Sequence, residues 1–506
     1  MTLLGLDIGT TGCKAVLFDE NGVLLAKASR EYPVDFPYPN WAEQNIENVW
    51  VLAQEALRET IHQTGKKVVD ALAISVHGEA ITPVDEHGHA LRPTILGMDT
   101  RTDEQNSWLR EHLGAEHLFN LTGMPIHTIN TLPKLLWIKQ NEPEIWKRAA
   151  RFLLVEDFFI QKMTGQAVIS HCLASRTQLF DQRLGDWSDE ILSVLGLDRS
   201  RLSLIKPSGT AVASMDPDLA AALGLVHPPL LVAGGHDQAC GALGVGLTRP
   251  GLASVSTGTA EVVEVVLPSP SINLTLFEGN ISVYSHVVPG LYLAMTLNHS
   301  GGMCLRWFRD SFCEPQMQQA AQTNSDAYDL MLAGASADPS GLLVLPHFSG
   351  SGTPTFDTAS KAAILGLTFA TTRADIAKAI LEGLTYELRL NLDLLKTGGV
   401  EIDGLRAIGG GAKSKLWLQL KADVTGIPVV TPKITEAAGF GAALLAGVGV
   451  GLFPSAAEAA NRFLQLTDEY LPNSGRYAAH SRQFEIYRQV YPAVSSIMHQ
   501  LRSRES

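Results

Sequence analysis

Two segments of this chain share one plan, and that repeat places the strongest constraint on the fold. Each consists of an apolar strand, a turn of small and hydroxylated residues, and a second apolar strand, over residues 3–19 and 251–266. The turns contain Asp7-Ile8-Gly9-Thr10-Thr11 and Val255-Ser256-Thr257-Gly258-Thr259. A unit that recurs about halfway along the chain indicates two domains built on the same scheme.

The chain of 506 residues is too long for one hydrophobic core, which agrees with two domains. We expect them to span residues 1–247 and 248–506. In both halves predicted strands alternate with predicted helices, a pattern typical of the α/β class. In the second half, Thr372 and Asp375 predict a capped helix start, and residues 407–430 predict a strand, three glycines, a helix and a strand.

The formal net charge is −13, and no block of lysine or arginine stands out. This disfavours nucleic acids and anionic membranes as partners. Five cysteines are scattered without the spacing of a zinc site or a disulfide framework, so we expect a reduced, cytoplasmic setting. We also expect no signal peptide, and no membrane span because no uninterrupted apolar run reaches about 18 residues.

The first turn has the residues of a phosphate site. Gly9 allows a tight turn, so backbone N–H groups and the hydroxyls of Thr10 and Thr11 could face phosphate oxygens, with Lys14 adding positive charge. Asp7 ends the first strand, where a carboxylate could hold hydrated Mg²⁺. A plain hairpin turn explains the same residues, and the spacing of a Walker loop is missing.

The second half contains two more glycine-rich turns. Gly258 and Thr259 could close on a polyphosphate from the side opposite the first turn. Gly409-Gly410-Gly411 precedes a predicted helix, where a ribose or base could lie against the backbone. Its spacing differs from G-x-G-x-x-G, which disfavours a Rossmann dinucleotide site. Each turn alone is also explained by an ordinary loop.

Polar residues follow three predicted strands of the first half. Asp237 comes after a buried strand and could accept the proton of an attacking hydroxyl, while Gln238 could hydrogen-bond the substrate. His77, Glu79 and Asp99 lie just past other strands, where open α/β sheets bind ligands. This polar set suits a polyol, although an aspartate that caps a helix and solvated loop ends are the simpler readings.

Taken together and in order, these segments resemble the FGGY carbohydrate kinase family. The resemblance covers nearly the whole chain, through the segments GLDIGTTGCKAVLFD, AGGHDQACGALGVG, VSTGTAEVV, HSGGMCLRWFRD, LGLTFATTRADIAKAILEGLTYELR, AIGGGAKSKLWLQLKADVTGIPV and EAAGFGAALLAG. It implies two actin-like, ribonuclease-H-like domains with ATP and a sugar in the cleft between them. It also implies transfer of the γ-phosphate of ATP to a sugar hydroxyl.

The resemblance assigns roles to single residues. It makes Asp237 the general base, links Asp7 to Mg²⁺, and gives the first domain the sugar site and first phosphate loop. The second domain would carry the second phosphate loop and the adenosine site, with the last helices packing back on the first domain. The residues implied for the nucleotide are Thr10, Thr11, Lys14, Gly258, Thr259, Gly302, Arg306, Gly411 and Lys415.

Within the family the chain is most similar to pentulose kinases such as the xylulokinases. His77-Gly78 matches the Met-His-Gly element that binds the ketose there, with Val76 in place of the methionine. D-xylulose is therefore the expected substrate and D-xylulose 5-phosphate the product.

Several departures from the family pattern leave the sugar open. Gly97-Met98-Asp99 replaces a Trp-Asn-Asp segment, and Gly350-Ser351-Gly352-Thr353-Pro354 replaces Gly-Glu-Arg-Thr-Pro. Glu79 matches the glutamate of the Arg-Glu pair in glycerol kinase, with Gly78 at the place of the arginine. Ribulose, a glycerol-like polyol and gluconate are the alternatives, and a homodimer is one arrangement that the sequence leaves open. An ATP-dependent scaffold of the actin or Hsp70 type is the alternative from another class, which Asp237-Gln238 disfavours.

Overall fold

The repeated hairpins lie in two large sheets, one in each half of the chain. The structure, a computed structural model, describes residues 1–65, 67–434 and 436–502. The strands of the first half are β1 (Thr2–Ile8), β2 (Gly12–Asp19), β3 (Leu24–Glu31), β4 (Glu43–Gln44), β5 (Ala71–Val76), β6 (Thr82–Val84), β7 (Thr94–Ile95), β8 (Arg151–Leu153), β9 (Val168–Ser170), β10 (Phe180–Asp181), β11 (Asp186–Trp187), β12 (Leu204–Lys206), β13 (Ala211–Ser214) and β14 (Leu230–His236). Its helices are α1 (Ile46–Thr64), α2 (Asp103–His112), α3 (Ala115–Thr122), α4 (Thr131–Asn141), α5 (Pro143–Arg148), α6 (Val155–Thr164), α7 (His171–Ala174), α8 (Asp189–Leu195), α9 (Pro217–Ala222) and α10 (Asp237–Gly244).

The second half has the same alternation of strands and helices. Its strands are β15 (Gly251–Thr257), β16 (Glu261–Leu267), β17 (Ser282–Ser285), β18 (Tyr292–Asn298), β19 (Leu343–Leu345), β20 (Ala363–Leu365), β21 (Ile402–Gly409), β22 (Val429–Pro432) and β23 (Leu466–Tyr470). Its helices are α11 (Leu274–Glu278), α12 (Gly302–Phe312), α13 (Glu314–Thr323), α14 (Ala327–Leu332), α15 (Arg373–Thr397), α16 (Lys415–Thr425), α17 (Ala437–Gly449), α18 (Ala456–Phe463), α19 (Ser474–Tyr487) and α20 (Val490–Arg502).

The two main sheets repeat one topology. The first has the order β13-β14-β5-β1-β2-β3, and the second has the order β23-β22-β21-β15-β16-β18-β17. In each sheet the first hairpin strand is antiparallel to its hairpin partner and parallel to the strand on its other side, β5 or β21. The internal repeat predicted from the two turns is therefore present at the level of whole sheets, and the α/β prediction with two similar halves is confirmed.

Helix α17 joins the second half to the first sheet through very close packing. It contacts β1, β5 and β14 as well as helix α10. A Cβ added to Gly5 of β1 would lie 1.9 Å from the carbonyl oxygen of Gly439, so only glycine permits this approach of helix to strand. The final helix pair, α19 and α20, packs instead on the second half, where α19 contacts α16. The boundary between residues 247 and 248 stays a prediction.

The long helix α15 starts as the sequence predicted. The Thr372 hydroxyl accepts a hydrogen bond from the backbone N–H of Asp375, and the Asp375 carboxylate accepts one from the backbone N–H of Thr372. This reciprocal capping box satisfies donors that the first helical turn leaves unpaired. Within the described ranges, no helix is both long enough and apolar enough to cross a membrane.

Candidate active site

Three parallel strands of the first sheet end side by side, and each is followed or ended by a predicted site residue. Strand β1 pairs with β5, and β5 pairs with β14, all in parallel. Asp7 lies near the end of β1, His77 follows β5, and Asp237 follows β14. Because the carboxyl ends of parallel strands share one edge, the fold brings these three side chains together.

Asp237 combines burial with access to the cleft. Its Oδ1 accepts the backbone N–H of Gln238 over 2.6 Å and lies 3.2 Å from His236 Nε2, while 27% of its side chain remains exposed. Burial, and to a smaller extent the neighbouring Asp7 carboxylate, raises the pKa of Asp237 to about 8. A carboxyl group with this affinity for a proton can act as a general base near neutral pH.

The Asp7 carboxylate lies at the same edge of the sheet as Asp237. The Ser75 hydroxyl donates a hydrogen bond of 2.8 Å to Asp7 Oδ1. Burial raises the pKa of Asp7, and the Ser75 bond and the Lys14 charge only partly oppose that rise. A cation placed here would be stabilised. In the part of the chain that the structure describes, no three His, Cys, Asp or Glu side chains gather into a metal site made by protein alone.

His77, Gly78 and Glu79 form the wall beside Asp237. His77 is buried, its Nε2 has no hydrogen-bond partner among the described residues, and burial lowers its pKa to about 4. The imidazole is therefore neutral at pH 7 and can exchange hydrogen bonds with a hydroxyl. A Cβ on Gly78 would come within 2.9 Å of the His236 ring, so the backbone must lie directly against that ring.

Arg176 is a site residue that the sequence did not single out. Its Nε donates to Glu79 Oε1 over 2.5 Å, and its Nη2 forms an ion pair with the same oxygen. The guanidinium also lies over the ring of Tyr284 from the second half, 4.4 Å from the ring centroid. The one available signal was that Arg176 is the only charged residue in the segment 172–180.

Asp99, for which the sequence predicted a contact with the sugar, is bound to other parts of the protein in this structure. It is completely buried, and its Oδ1 accepts hydrogen bonds from the backbone N–H and the Nε of Arg101. Its Oδ2 accepts the backbone N–H of Ala42 over 2.6 Å. The Arg101 guanidinium stacks 3.6 Å from the centroid of Trp41. In this structure Asp99 therefore anchors a buried arginine.

The first predicted phosphate turn forms the tip of the β1–β2 hairpin. Gly9 N–H donates to Gly12 O over 2.9 Å and closes the turn. Gln44 Nε2 donates to the carbonyl of Thr10 and the Tyr32 hydroxyl donates to the carbonyl of Gly9, so side chains hold the turn from behind. Thr11 is exposed at the tip, where a ligand can reach it.

Lys14 connects this turn to the second half of the chain. Its Nζ lies 2.7 Å from Glu436 Oε2, and Lys27 binds the other oxygen of the same carboxylate over 2.9 Å. Glu436 stands immediately before helix α17. A cavity of about 210 Å³ lies beside the pair and is also lined by Asp7. The predicted phosphate ligand Lys14 thus shares its charge with an acidic residue of the other half.

The second turn opens into a cavity of about 480 Å³. The predicted nucleotide residues that line it are Gly258, Thr259, Gly302, Arg306 and Gly411. Lys415 does not line it and begins helix α16 next to it. The N–H groups of Gly301 and Gly302 donate to the carbonyls of Thr259 and Gly258 over 2.8 Å, which ties the start of helix α12 to the turn.

The other residues that line this cavity include an apolar group, beside the charged Asp326, Asp329 and Lys413. Leu305 belongs to α12, Tyr328 and Leu332 belong to α14, and Trp417 belongs to α16. Such walls suit a flat purine, while the glycine turns leave room for ribose and phosphates. The cavity therefore has the chemical character of a nucleotide site.

Known proteins share this chain's sequence and fold along nearly its whole length. The model of the N-terminal domain of the FGGY family of carbohydrate kinases matches residues 2–244, and that of the C-terminal domain matches residues 253–450. A xylulose kinase from Bacillus subtilis (strain 168) is 30% identical over 507 residues, with 99% of each chain covered. A gluconokinase from the same organism is 28% identical over 457 residues, 90% of this chain and 88% of the relative.

A solved structure supports the same assignment. The crystal structure of a xyloylose kinase from Brucella ovis superposes with a TM-score of 0.89 at 26% identity, covering 98% of this chain and 100% of the other. The family match spans both halves, and the predicted two-domain fold with a cleft is confirmed. The chain therefore belongs to the FGGY family of carbohydrate kinases and is an ATP-dependent sugar kinase.

Proposed function

We propose that this kinase phosphorylates D-xylulose to D-xylulose 5-phosphate in the cytoplasm. The observation that carries the proposal is the buried, unpartnered Nε2 of His77 on the strand edge that it shares with Asp237. A sugar hydroxyl would pair with that nitrogen. The similarity to curated xylulose kinases over nearly the full chain supports the same substrate.

The mechanism that we propose is in-line phosphoryl transfer with Asp237 as the base. Asp237 orients the attacking hydroxyl and takes its proton as the oxygen bonds to the γ-phosphorus and the bond to ADP breaks. His77, Glu79 and Gln238 would hold the sugar for this attack. Positioning of the two reactants supplies most of the rate enhancement in such reactions.

The nucleotide would lie across both halves. Adenosine would occupy the cavity lined by Trp417 and Gly411, and the phosphates would meet the turns at Gly258 and Thr11. Backbone N–H groups at these turns would stabilise the charge that develops on the phosphates. We propose domain boundaries at residues 1–247 and 248–506, so that each domain supplies one phosphate turn. A homodimer stays a prediction of the sequence.

The residues on the strand edge fit Mg²⁺, which prefers carboxylate oxygens and keeps several waters together with substrate phosphates. Asp7 would hold the ion, because burial raises its pKa and a nearby cation would relieve that cost. Asp237 is close enough for the Asp7 charge to raise its pKa as well. The ion would neutralise charge on the transferring phosphate.

A coupled assay of ADP release over pentuloses, hexuloses, polyols and aldonates tests the proposal. We expect the highest kcat/KM with D-xylulose, and a fall of kcat of about 10²- to 10⁴-fold in Asp237→Asn because the proton acceptor is lost. The KM for ATP should change little. Asp216→Asn, at an exposed helix cap, is the matched control.

Two outcomes would refute parts of the proposal. Turnover of another sugar without turnover of D-xylulose would reject the substrate and keep the kinase. Full activity in Asp237→Asn would reject the base.

A further inference from the structure

The Arg176 guanidinium is enclosed by partners from both halves of the chain. Glu79 binds its edge through Nε and Nη2, the Tyr284 ring covers its face, and Nη1 lies 3.8 Å from Met295 Sδ. Arg176 is only 1% exposed. Burial disfavours the charge on Arg176, but Glu79 and, to a smaller extent, Tyr284 together more than offset this and raise its pKa. The arginine is therefore a permanent, internally neutralised cation.

Glu79 is held in place at its backbone as well as at its carboxylate. Its φ of 61° lies in the left-handed region, which is uncommon for a residue other than glycine. The Thr131 hydroxyl and Lys134 Nζ both donate to its carbonyl oxygen, over 3.1 and 3.2 Å. These contacts fix the backbone at Glu79, and the bonds from Arg176 hold its carboxylate. Strained backbone that is supported in this way is typical of functional sites.

The pair lies next to the reacting groups. A Cβ on Gly78 would be 3.3 Å from Arg176 Nε and 2.9 Å from the His236 ring, and His236 precedes Asp237. Both members act on Asp237 electrostatically, since the Glu79 charge raises its pKa and the Arg176 charge lowers it. The pair is therefore part of the sugar site.

The two carboxylate oxygens of Glu79 have different neighbours. The bonds from the guanidinium use Oε1, whereas Oε2 lies 3.9 Å from the position of a Cβ on Gly97. The carbonyl oxygen of Gly78 is 3.7 Å from the same position. Because Gly97 has no side chain, the space that its Cβ would fill borders two hydrogen-bond acceptors, Glu79 Oε2 and the Gly78 carbonyl oxygen. Both acceptors match the hydroxyl donors of a polyol.

The cations around this space already have partners within the protein. Arg176 binds Glu79, Arg101 binds Asp99 and Glu43, and Lys134 donates to the carbonyls of Glu79 and Ile129. Burial lowers the pKa of Lys134 to about 8. Arg110 is exposed, and its positive charge contributes to the lowered pKa of His127. A carboxylate on a sugar acid would thus meet the like charges of Glu79 and Asp237, while the buried cations near it, Arg176, Arg101 and Lys134, already donate to partners within the protein.

We propose that Arg176 is a positioning residue that fixes the Glu79 carboxylate as an acceptor for sugar hydroxyls, so that the site takes uncharged polyhydroxy substrates and rejects aldonates. This inference rests on the proposed function and sharpens its substrate class. The rejection follows because an unpaired carboxylate would have to be buried beside two others of the same sign.

Kinetics with uncharged sugars and with aldonates of five and six carbons test this inference. We expect the best aldonate to have a kcat/KM at least about 100-fold below that of the best uncharged sugar. In Glu79→Gln the guanidinium loses its partner and can accept a carboxylate, so the aldonate-to-neutral ratio should rise at least about tenfold. Glu79→Gln/Arg176→Gln should reverse that rise.

Two further variants separate positioning from general stability. Arg176→Gln should raise the KM for sugar and leave the KM for ATP unchanged, and Arg176→Lys should recover only part of the loss because it lacks the two-pronged donor. Glu382→Gln removes a buried ion pair of the same kind, with Lys378 in the second half, and should leave the substrate ratio unchanged.

Binding measurements decide the inference even where a variant fails to fold. Calorimetric titration of the wild-type chain with a non-hydrolysable ATP analogue should give an aldonate Kd at least about 100-fold above that of the best uncharged sugar. Equal affinities, or an unchanged ratio in folded Glu79→Gln, would overturn the inference. Turnover of another neutral sugar without turnover of D-xylulose would reject the proposed substrate but support the preference for uncharged sugars over aldonates.

Discussion

Lys14 in the first half of the chain and Glu436 in the second form an ion pair of 2.7 Å. Lys27 binds the other oxygen of Glu436 over 2.9 Å, so one carboxylate holds two cations next to the first phosphate turn. A phosphate bound at Lys14, as the sequence predicts, would therefore have to compete with Glu436 for the lysine charge.

Glu436→Gln should free Lys14 for the nucleotide. We expect the KM for ATP to fall about two- to fivefold at low salt, and the effect to shrink as salt screens the lysine charges. Glu55→Gln is the matched control, because it removes the exposed pair with Arg30 outside the cleft. A rise in the KM for ATP, or the same change in the control, would contradict the competition.

The pH dependence of the sugar reaction should report Asp237. Because the base works in its ionised form and its pKa is raised to about 8, kcat/KM for the sugar should increase with pH by about tenfold per unit below that value and level off above it. The residual activity of Asp237→Asn should not show this increase with pH. A wild-type profile that is flat from pH 6 to 9 would refute the assignment.

Gly258→Ala should separate nucleotide binding from stability. A Cβ at Gly258 meets no atom within 4 Å, so the fold should tolerate the methyl group, yet that group enters the space we assign to phosphate. We expect a KM for ATP at least about tenfold higher and a change in the free energy of unfolding within about 1 kcal/mol. Gly404→Ala, in the same half but outside the cavity, should change neither quantity. A large loss of stability in Gly258→Ala would contradict the prediction that the fold tolerates the methyl group.

Glu156 bonds two elements of the site and should make the free energy of unfolding depend on pH. Its carboxylate accepts hydrogen bonds from Ser170 at the start of α7 and from Gly234 N–H in β14. Burial raises its pKa to about 7, although these bonds oppose the rise. A carboxyl with a raised folded pKa contributes stability that is complete below its unfolded pKa and is lost as pH rises through the folded value.

The comparison with Glu156→Gln isolates this effect. The difference in free energy of unfolding between wild type and variant should shift against the wild type between about pH 4.5 and 7 by a few kcal/mol, then stay level. Denaturant titrations at several pH values measure it. A difference that grows in favour of the wild type with rising pH would show that the folded pKa is depressed instead.

The sequence predicted the parts of this protein that depend on neighbouring residues. The capping box at Thr372 and Asp375 and the two hairpins are formed by chain segments a few residues long, so the pattern alone indicates them. The order of the family segments likewise indicated the two similar halves. The predicted nucleotide residues Gly258 and Gly411 come together because they follow the ends of the neighbouring strands β15 and β21.

Contacts between distant segments could be seen only in the tertiary structure. Arg176 and Glu79 are 97 residues apart, and Lys14 and Glu436 are 422 apart, so no local spacing marks either pair. The sequence by itself determined the family and the repeated sheets and predicted Asp237 as the base, because these follow from local patterns. The tertiary structure decided which charges neutralise one another, because burial and pairing depend on how separate segments pack.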